Sequence, residues 1–184
     1  MTRQCGQCTL CCKLVPVADL GKAANQRCAH QRSFKGCAIY ANRPLTCRLW
    51  SCVWLTDEAS GLSRPDLAHY VIDPVPDFVT ARNEDDGTSY KFGVVQVWCD
   101  PRHPDAWKDP ALMAYIDRRG VDEGFSALIR YDSSRGFVVF PPSVTGKGWV
   151  INTETTVGGP EHSAEDVAKA LTEATGNAYA VVRS

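Results

Sequence analysis

The sequence predicts an α+β protein, with a small cysteine-rich module at residues 1–62 and a compact domain at residues 63–184. The domain is expected to hold a mostly antiparallel sheet and about two helices. Eight of the nine cysteines lie between Cys5 and Cys52, and they mark the module. Beyond it the chain changes to short runs of β-branched and aromatic residues, which are typical of strands. The polar stretch 56–65 separates the two patterns and predicts the boundary.

Local patterns predict the strands and their connections. The polar segments 83–88 and 132–136 are typical of hairpin connections, because each lies between two apolar runs. The predicted strands are 67–72, 77–82, 90–98, 126–131, 136–140 and 148–152.

Two helices are predicted in the domain. Asp109 is a good N-cap and predicts a helix over 109–119, with Gly120 as its stop. A second helix over 163–174 begins with the spacing of a capping box, and a last strand follows at 178–182.

Length and composition predict a folded chain. The 184 residues are 44% hydrophobic and 22% charged, which is near the average for globular proteins and excludes wholesale disorder. No apolar run approaches the ~20 residues that a membrane helix needs, so no membrane association is expected. No leader of basic and then apolar residues precedes Cys5, which predicts a cytoplasmic protein.

The cysteines indicate metal binding rather than a disulfide framework. Their number is odd, Cys11 and Cys12 are adjacent, and no secretory leader is seen. A reducing cytosol keeps such thiols free, and clustered free thiols bind soft or borderline metal ions. A module of about sixty residues buries little apolar surface, so a bound metal would help to hold it together.

The spacing of the first four cysteines is that of a metal-binding loop. Cys5, Cys8 and Cys11 share the C-x₂-C-x₂-C spacing of a bacterial ferredoxin, which wraps three ligands around one iron–sulfur cube. Cys12 follows at once, and the C-x₃-C-P ending of the ferredoxin pattern is missing. The spacing therefore permits a [4Fe–4S] cluster but leaves zinc open as the alternative.

All eight cysteines of the module are candidate metal ligands. They suffice for two Zn(Cys)₄ sites, for one [4Fe–4S] cluster with four spare thiols, or for a polynuclear centre with bridging thiolates. His30 could replace one thiol, while Cys99 is expected to be a buried and inert thiol. The candidate ligands are Cys5, Cys8, Cys11, Cys12, Cys28, Cys37, Cys47 and Cys52.

The charge of the module admits two explanations. Residues 1–56 contain eight basic residues and one acidic residue, which gives +7 in a chain of net charge -1. A basic segment can indicate nucleic-acid binding, but no known nucleic-acid module pattern is present, so nucleic acid is not the expected partner. The positive charge is better explained as balancing thiolates around a metal. Arg43 and Arg48 are the residues expected to contact the cofactor or an anionic substrate.

Two segments of the module resemble a known family. The run from Cys5 to Cys12 and the segment Cys37-Ala-Ile-Tyr-Ala-Asn-Arg-Pro-Leu-Thr-Cys-Arg48 are similar to the two signatures of the CxxCxxCC, or YkgJ-type, cysteine-cluster proteins. This family is described as zinc- or iron-chelating. The resemblance covers roughly Cys5 to Cys52, and it implies metal or iron–sulfur binding through these cysteines without implying a reaction.

The sequence therefore predicts a metal-binding protein with an accessory or interaction role. The second domain is expected to recognise a protein partner or a small substrate. One alternative is a metalloenzyme, whose centre would do redox or Lewis-acid chemistry at an open coordination position. Another is a nucleic-acid-binding zinc module, which predicts binding that weakens steeply with salt.

Overall fold

The computed structural model describes residues 3–82, 85–153 and 169, and it has the predicted α+β architecture. The strands of the main sheet lie in the order β3-β4-β5-β6-β7, and β1 pairs with β2 in a separate small hairpin. The strands are β1 Gln31–Arg32, β2 Gly36–Cys37, β3 Tyr70–Arg82, β4 Ser89–Cys99, β5 Ser126–Arg130, β6 Gly136–Phe140 and β7 Val150–Asn152. The predicted helix at 163–174 and the strand at 178–182 lie outside the described residues, apart from Lys169.

The main sheet is mostly antiparallel, as predicted. Only β4 and β5 run parallel among the described pairs, with Val94 opposite Ser126. A parallel pair needs a crossover connection, and the longest helix of the described residues, Pro110–Glu123, lies between these two strands in the chain. The two predicted hairpins join β3 to β4 and β5 to β6.

The helices are more numerous and shorter than the sequence predicts. Six α-helices occur in the described residues, and only α5 is longer than five residues. Helices of four or five residues are not stable alone in water, so these helices depend on packing against the rest of the protein. The helices are α1 Cys11–Leu14, α2 Leu45–Leu49, α3 Val53–Thr56, α4 Pro65–Ala68, α5 Pro110–Glu123 and α6 Pro142–Thr145.

The segment 14–24 is not one element. Helix α1 ends at Leu14, and a separate turn of 3₁₀ helix spans Ala18–Leu20. The segment after Pro44 is likewise divided, because Trp50 and Cys52 adopt extended backbone between α2 and α3. The chain of the module therefore turns after every few residues.

Strand β3 is one continuous strand where the sequence predicts two. The sequence predicts separate strands at 67–72 and 77–82, but β3 runs through both and is interrupted by a bulge between Asp73 and Asp77. Pro74 has no amide hydrogen for the ladder, and a bulge is where a strand tolerates such a residue. Residues before Tyr70 form α4 instead of strand.

The two faces of the main sheet carry different partners. On one face, Val97 and Ile129 pack with Leu112 and Ile116 of α5 in the largest apolar cluster. On the other face, Trp98 packs with residues of the cysteine module. Successive side chains of a strand point to opposite faces, so β4 serves both layers. None of the helices in the described part of the chain is long and apolar enough to cross a membrane.

Helix α5 begins as predicted and ends later. The side chain of Asp109 accepts hydrogen bonds from the N–H groups of Ala111 at 2.8 Å and Leu112 at 3.2 Å, which confirms it as the N-cap. The expectation that Gly120 stops the helix is wrong. The helix continues to Glu123 and ends at Gly124, whose φ of 70° lies in the left-handed region.

Gly120 is required for close packing between α5 and α6. A Cβ atom at this position would collide with Oγ of Ser143 and lie 2.9 Å from Cγ of Pro141. Ser143 is held in place because its hydroxyl donates to the carbonyl of Asp117 at 3.0 Å.

Replacing Gly120 by alanine is expected to lower the free energy of unfolding by about 1–2 kcal/mol. The strain of the inserted methyl group exceeds the gain of about 1 kcal/mol in helix propensity. Urea unfolding of the full chain measures the change. Val121→Ala on the same helix is the control, since Val121 is exposed and should change stability by no more than about 0.5 kcal/mol. Equal stabilities for Gly120→Ala and the parent would contradict the packing argument.

Candidate functional site

The eight cysteines of the module line a single cavity. Its volume is about 150 Å³, and it lies between the module and the face of the main sheet that carries Trp98. We call it the main cavity, and the eight residues the clustered cysteines. Cys99 does not line it, because this residue is fully buried in the apolar cluster on the opposite face of the sheet. The clustered cysteines are Cys5, Cys8, Cys11, Cys12, Cys28, Cys37, Cys47 and Cys52.

Short turns bring the first cysteines together. The N–H of Cys8 donates to the carbonyl of Cys5 at 2.9 Å, which closes a turn, and both residues line the main cavity. Cys11 and Cys12 then begin α1. The N–H of Cys28 donates to the carbonyl of Cys12 at 2.9 Å, so the next segment returns to the same helix.

The last three cysteines come from three different elements. Cys37 lies on β2 of the small hairpin, opposite Gln31. Cys47 lies within α2, and Cys52 is the residue before α3. The frequent turns of the module therefore have a common result, which is to direct eight thiols at one cavity.

Three of the thiols are hydrogen-bonded to one another. Donation from Cys11 lowers the pKa of Cys5 to about 7 and also lowers the pKa of Cys12. The pKa of Cys11 itself is raised, because its proton is shared with Cys12 and Cys5 and because it is buried. All nine cysteines of the chain are free thiols in this structure.

Other cavity thiols are protonated at neutral pH when no cation is near them. Burial raises the pKa of Cys8 and of Cys47 to about 11, and it also raises the pKa of Cys52. A bound metal ion supplies the positive charge that converts such thiols to thiolates.

Two basic side chains, those of Lys22 and Arg43, lie next to the clustered cysteines. The ammonium of Lys22 is buried and donates to three backbone carbonyls, those of Lys13, Val15 and Ala23. Burial lowers its pKa, and the neighbouring Cys28 and Cys12 thiols oppose that shift.

The two arginines predicted to contact a cofactor have different positions. Arg43 lines the main cavity, stacks 3.9 Å over the ring of Tyr40 and donates from Nε to the Tyr40 carbonyl at 3.0 Å. Arg48 is exposed and is not among the residues that line the cavity. His30, the predicted substitute ligand, also lines it.

The sheet contributes a polar wall that the sequence did not reveal. Asp73 and Gln96 lie opposite each other on β3 and β4, and both line the main cavity. Asp73 accepts hydrogen bonds from Nε1 of Trp50 at 2.9 Å and from the N–H of Val75 at 3.0 Å. Gln96 is distant from the cysteines in sequence, so its position as the single polar residue in the apolar run 94–99 was the one sequence signal that could have pointed to it.

Two further polar atoms on the cavity-lining residues have no partner within the described part of the chain. They are Oγ1 of Thr46 and Nε1 of Trp98, and both are buried. A buried polar atom without a hydrogen bond costs about 1–3 kcal/mol, so it is normally satisfied by a ligand or by water.

The thiols have not converged to ligand spacing. Among residues 3–82, 85–153 and 169, no group of three or more His, Cys, Asp or Glu side chains is arranged so that it could hold a metal ion. The clustered cysteines surround the cavity rather than meet at one point within it.

Comparison with protein families, with curated proteins and with solved structures finds no match to this chain. The similarity of the module to the CxxCxxCC family therefore stays a prediction from the two sequence segments.

Proposed function

We propose that this chain is a metal-binding protein whose clustered cysteines hold zinc or an iron–sulfur centre. The observation that carries the proposal is the common cavity, because all eight candidate ligands line it although they span residues 5–52. Thiolate sulfur is the ligand that both zinc and iron–sulfur clusters prefer. Such a centre would supply negative charge and, in the iron–sulfur case, a reversible one-electron couple.

Charge balance supports the proposal. A metal bound by four thiolates carries about two negative charges, both as Zn(Cys)₄ and as an oxidised [4Fe–4S](Cys)₄. Lys22 and Arg43 lie beside the thiols and would offset that charge. The remaining basic residues of the module act at longer range in the same direction.

The size of the main cavity is compatible with more than one ion. An engineered protein cavity of about 150 Å³ binds benzene, so the main cavity can accommodate a group of several atoms. Binding would draw the thiols inward, since each cysteine can turn its sulfur about one side-chain torsion. We expect that ordering to fix the short helices of the module.

An accessory or interaction role in the cytoplasm is part of the proposal. Clustered free thiols persist in a reducing compartment, and the chain offers no second constellation of catalytic residues that the sequence identifies. The five-stranded domain would then bind a protein partner or a small substrate.

Anaerobic purification followed by elemental analysis and absorption spectroscopy tests the proposal. We expect either a brown protein that absorbs near about 400 nm and bleaches with dithionite, as iron–sulfur clusters do, or a colourless protein that contains zinc. A freshly isolated and oxygen-protected sample that holds neither metal, and takes up neither on reconstitution, would contradict it.

A metalloenzyme is the second candidate, and the polar wall of the main cavity favours it. Gln96, Thr46 and Trp98 line the cavity with side chains that can hydrogen-bond, and the buried Oγ1 of Thr46 and Nε1 of Trp98 lack partners in the described chain. A centre with an open coordination position would change its spectrum when cyanide is added, whereas a closed structural centre would not.

A further inference from the structure

The clustered cysteines separate into two groups of four. A second cavity of about 10 Å³ is lined by Cys5, Cys8, Cys11 and Cys52, and we call these residues the inner set. The other four line the main cavity but not the small one, and we call them the outer set. The outer set is Cys12, Cys28, Cys37 and Cys47.

Three of the four inner-set residues lie against the main sheet. Cys8 belongs to an apolar cluster that includes Val71 and Trp98, and Cys11 and Cys52 pack against that cluster. Within the described residues, neither Cys5 nor any cysteine of the outer set belongs to it. The small cavity, which Trp54, Leu55, Pro65 and Val71 also line, has room for about one water-sized group. The four thiols would have to turn inward to hold an ion there.

The outer set is assembled by separate contacts. The backbone hydrogen bond from Cys28 to Cys12 joins two of its members, and the N–H of Gln31 donates to the carbonyl of Cys28 at 3.0 Å. Gln31 in turn pairs with Cys37 in the small hairpin. Cys47 lies within α2 and lines the main cavity with the other three cysteines of the outer set, but it does not line the small cavity.

The adjacent pair Cys11 and Cys12 joins the two sets. Both residues line the main cavity, yet Cys11 lines the small cavity and Cys12 does not. Consecutive residues at the start of α1 thus contribute to different groups. This explains why the chain carries two cysteines in succession, which a single tetrahedral site does not require.

We propose that the inner set and the outer set bind two separate metal centres, each with four thiolate ligands. The inference rests on the proposed metal-binding function and adds the division of the ligands. The inner set takes a single tetrahedral ion, and the outer set takes the centre that faces the main cavity.

Cobalt(II) titration of the reduced, metal-free full chain tests the division, in the presence of a competing chelator and with thiolate-to-cobalt absorption as the readout. We expect the parent to bind two ions tightly. Cys52→Ser and Cys47→Ser should each bind one, and the pair Cys8→Ser/Cys52→Ser, both within the inner set, should also bind one. The pair Cys52→Ser/Cys47→Ser, one from each set, should bind none tightly.

Mapping of protected thiols gives a second measurement that needs no variant. The parent is loaded with one equivalent of cobalt, and the thiols that remain free are alkylated. Molecules whose number of alkyl labels corresponds to one bound ion are then fragmented in a mass spectrometer to locate the unlabelled cysteines. Each molecule should protect the four cysteines of one set. Protection of four cysteines that come from both sets would overturn the division. Loss of both ions in Cys8→Ser/Cys52→Ser, together with such a mixed protection pattern in the parent, would overturn it as well. A parent that binds no cobalt, zinc or iron would instead refute the proposed function.

Discussion

Replacing Cys8 by serine is expected to lower the metal content of the protein and to destabilise the module while the main sheet stays folded. Structural zinc contributes about 10–16 kcal/mol to the folding of zinc-finger peptides, so losing one ligand should destabilise the module by several kcal/mol. The helices of the module are four or five residues long and add little stability of their own. Elemental analysis gives the metal content, and amide hydrogen exchange gives the stability of each segment.

Cys99→Ala is the matched control for this variant. Cys99 is buried in the cluster on the other face of the sheet, so its loss should cost about 1 kcal/mol or somewhat more without changing the metal content. Full retention of metal and of exchange protection in Cys8→Ser would show that Cys8 is not a ligand. Loss of protection in the sheet as strong as in the module would show that the two parts do not unfold separately.

The sequence was sufficient where one local pattern decides the structure. Asp109 could be identified as a helix N-cap because its side chain needs only the N–H groups of the next turn. The hairpin connections could be predicted because their polar residues lie between apolar runs. The α+β class follows from these elements, and it is confirmed.

Prediction failed where a distant contact decides the structure. Gly120 has the properties of a helix stop, but its contact with α6 keeps it inside α5, and α6 lies more than twenty residues later. The bulge in β3 depends on its pairing with β4, so a proline in the middle of the segment suggested two strands.

The candidate site shows the same contrast between local patterns, which could be predicted, and distant contacts, which could not. The cysteines were recognisable from residue type and spacing, and the structure directs all eight to one cavity. The polar wall formed by Asp73 and Gln96 was not recognisable, because their proximity depends on strand register. The buried position of Lys22 also depends on the fold, since a lysine in a loop is ordinarily exposed.

Replacing Asp100 by alanine is expected to lower the free energy of unfolding by about 3 kcal/mol at pH 7. Asp100 is 1% exposed and accepts from Nζ of Lys13 at 2.6 Å and from Nη2 of Arg102 at 3.1 Å. Lys13 follows Cys12 directly in α1, whereas Asp100 follows β4, so this ion pair connects the module to the sheet. Its loss leaves a partly buried ammonium without a counter-charge. Urea unfolding of the full chain measures the change.

The pH dependence distinguishes this ion pair from simple packing. Burial alone would raise the pKa of the Asp100 carboxyl, but hydrogen bonds from Arg102 and Lys13 outweigh it and hold the pKa well below its ordinary value of 3.8. A carboxyl whose pKa is depressed in the folded state stabilises the fold fully above its ordinary pKa and loses that contribution as pH falls. The difference in the free energy of unfolding between the parent and Asp100→Ala should therefore be constant from pH 5 to pH 7. Below about pH 4 this difference should decrease by about 1.4 kcal/mol per pH unit.

A matched control separates this pair from ion pairs on the surface. Asp105→Ala breaks the 2.7 Å pair with Lys108, in which both side chains are more than half exposed, and it should cost less than about 1 kcal/mol. If the difference in the free energy of unfolding between the parent and Asp100→Ala stays constant down to pH 3, the carboxylate charge contributes nothing to stability. The module would then be attached to the sheet by apolar contacts around Trp98 and by the hydrogen bond from Trp50 to Asp73.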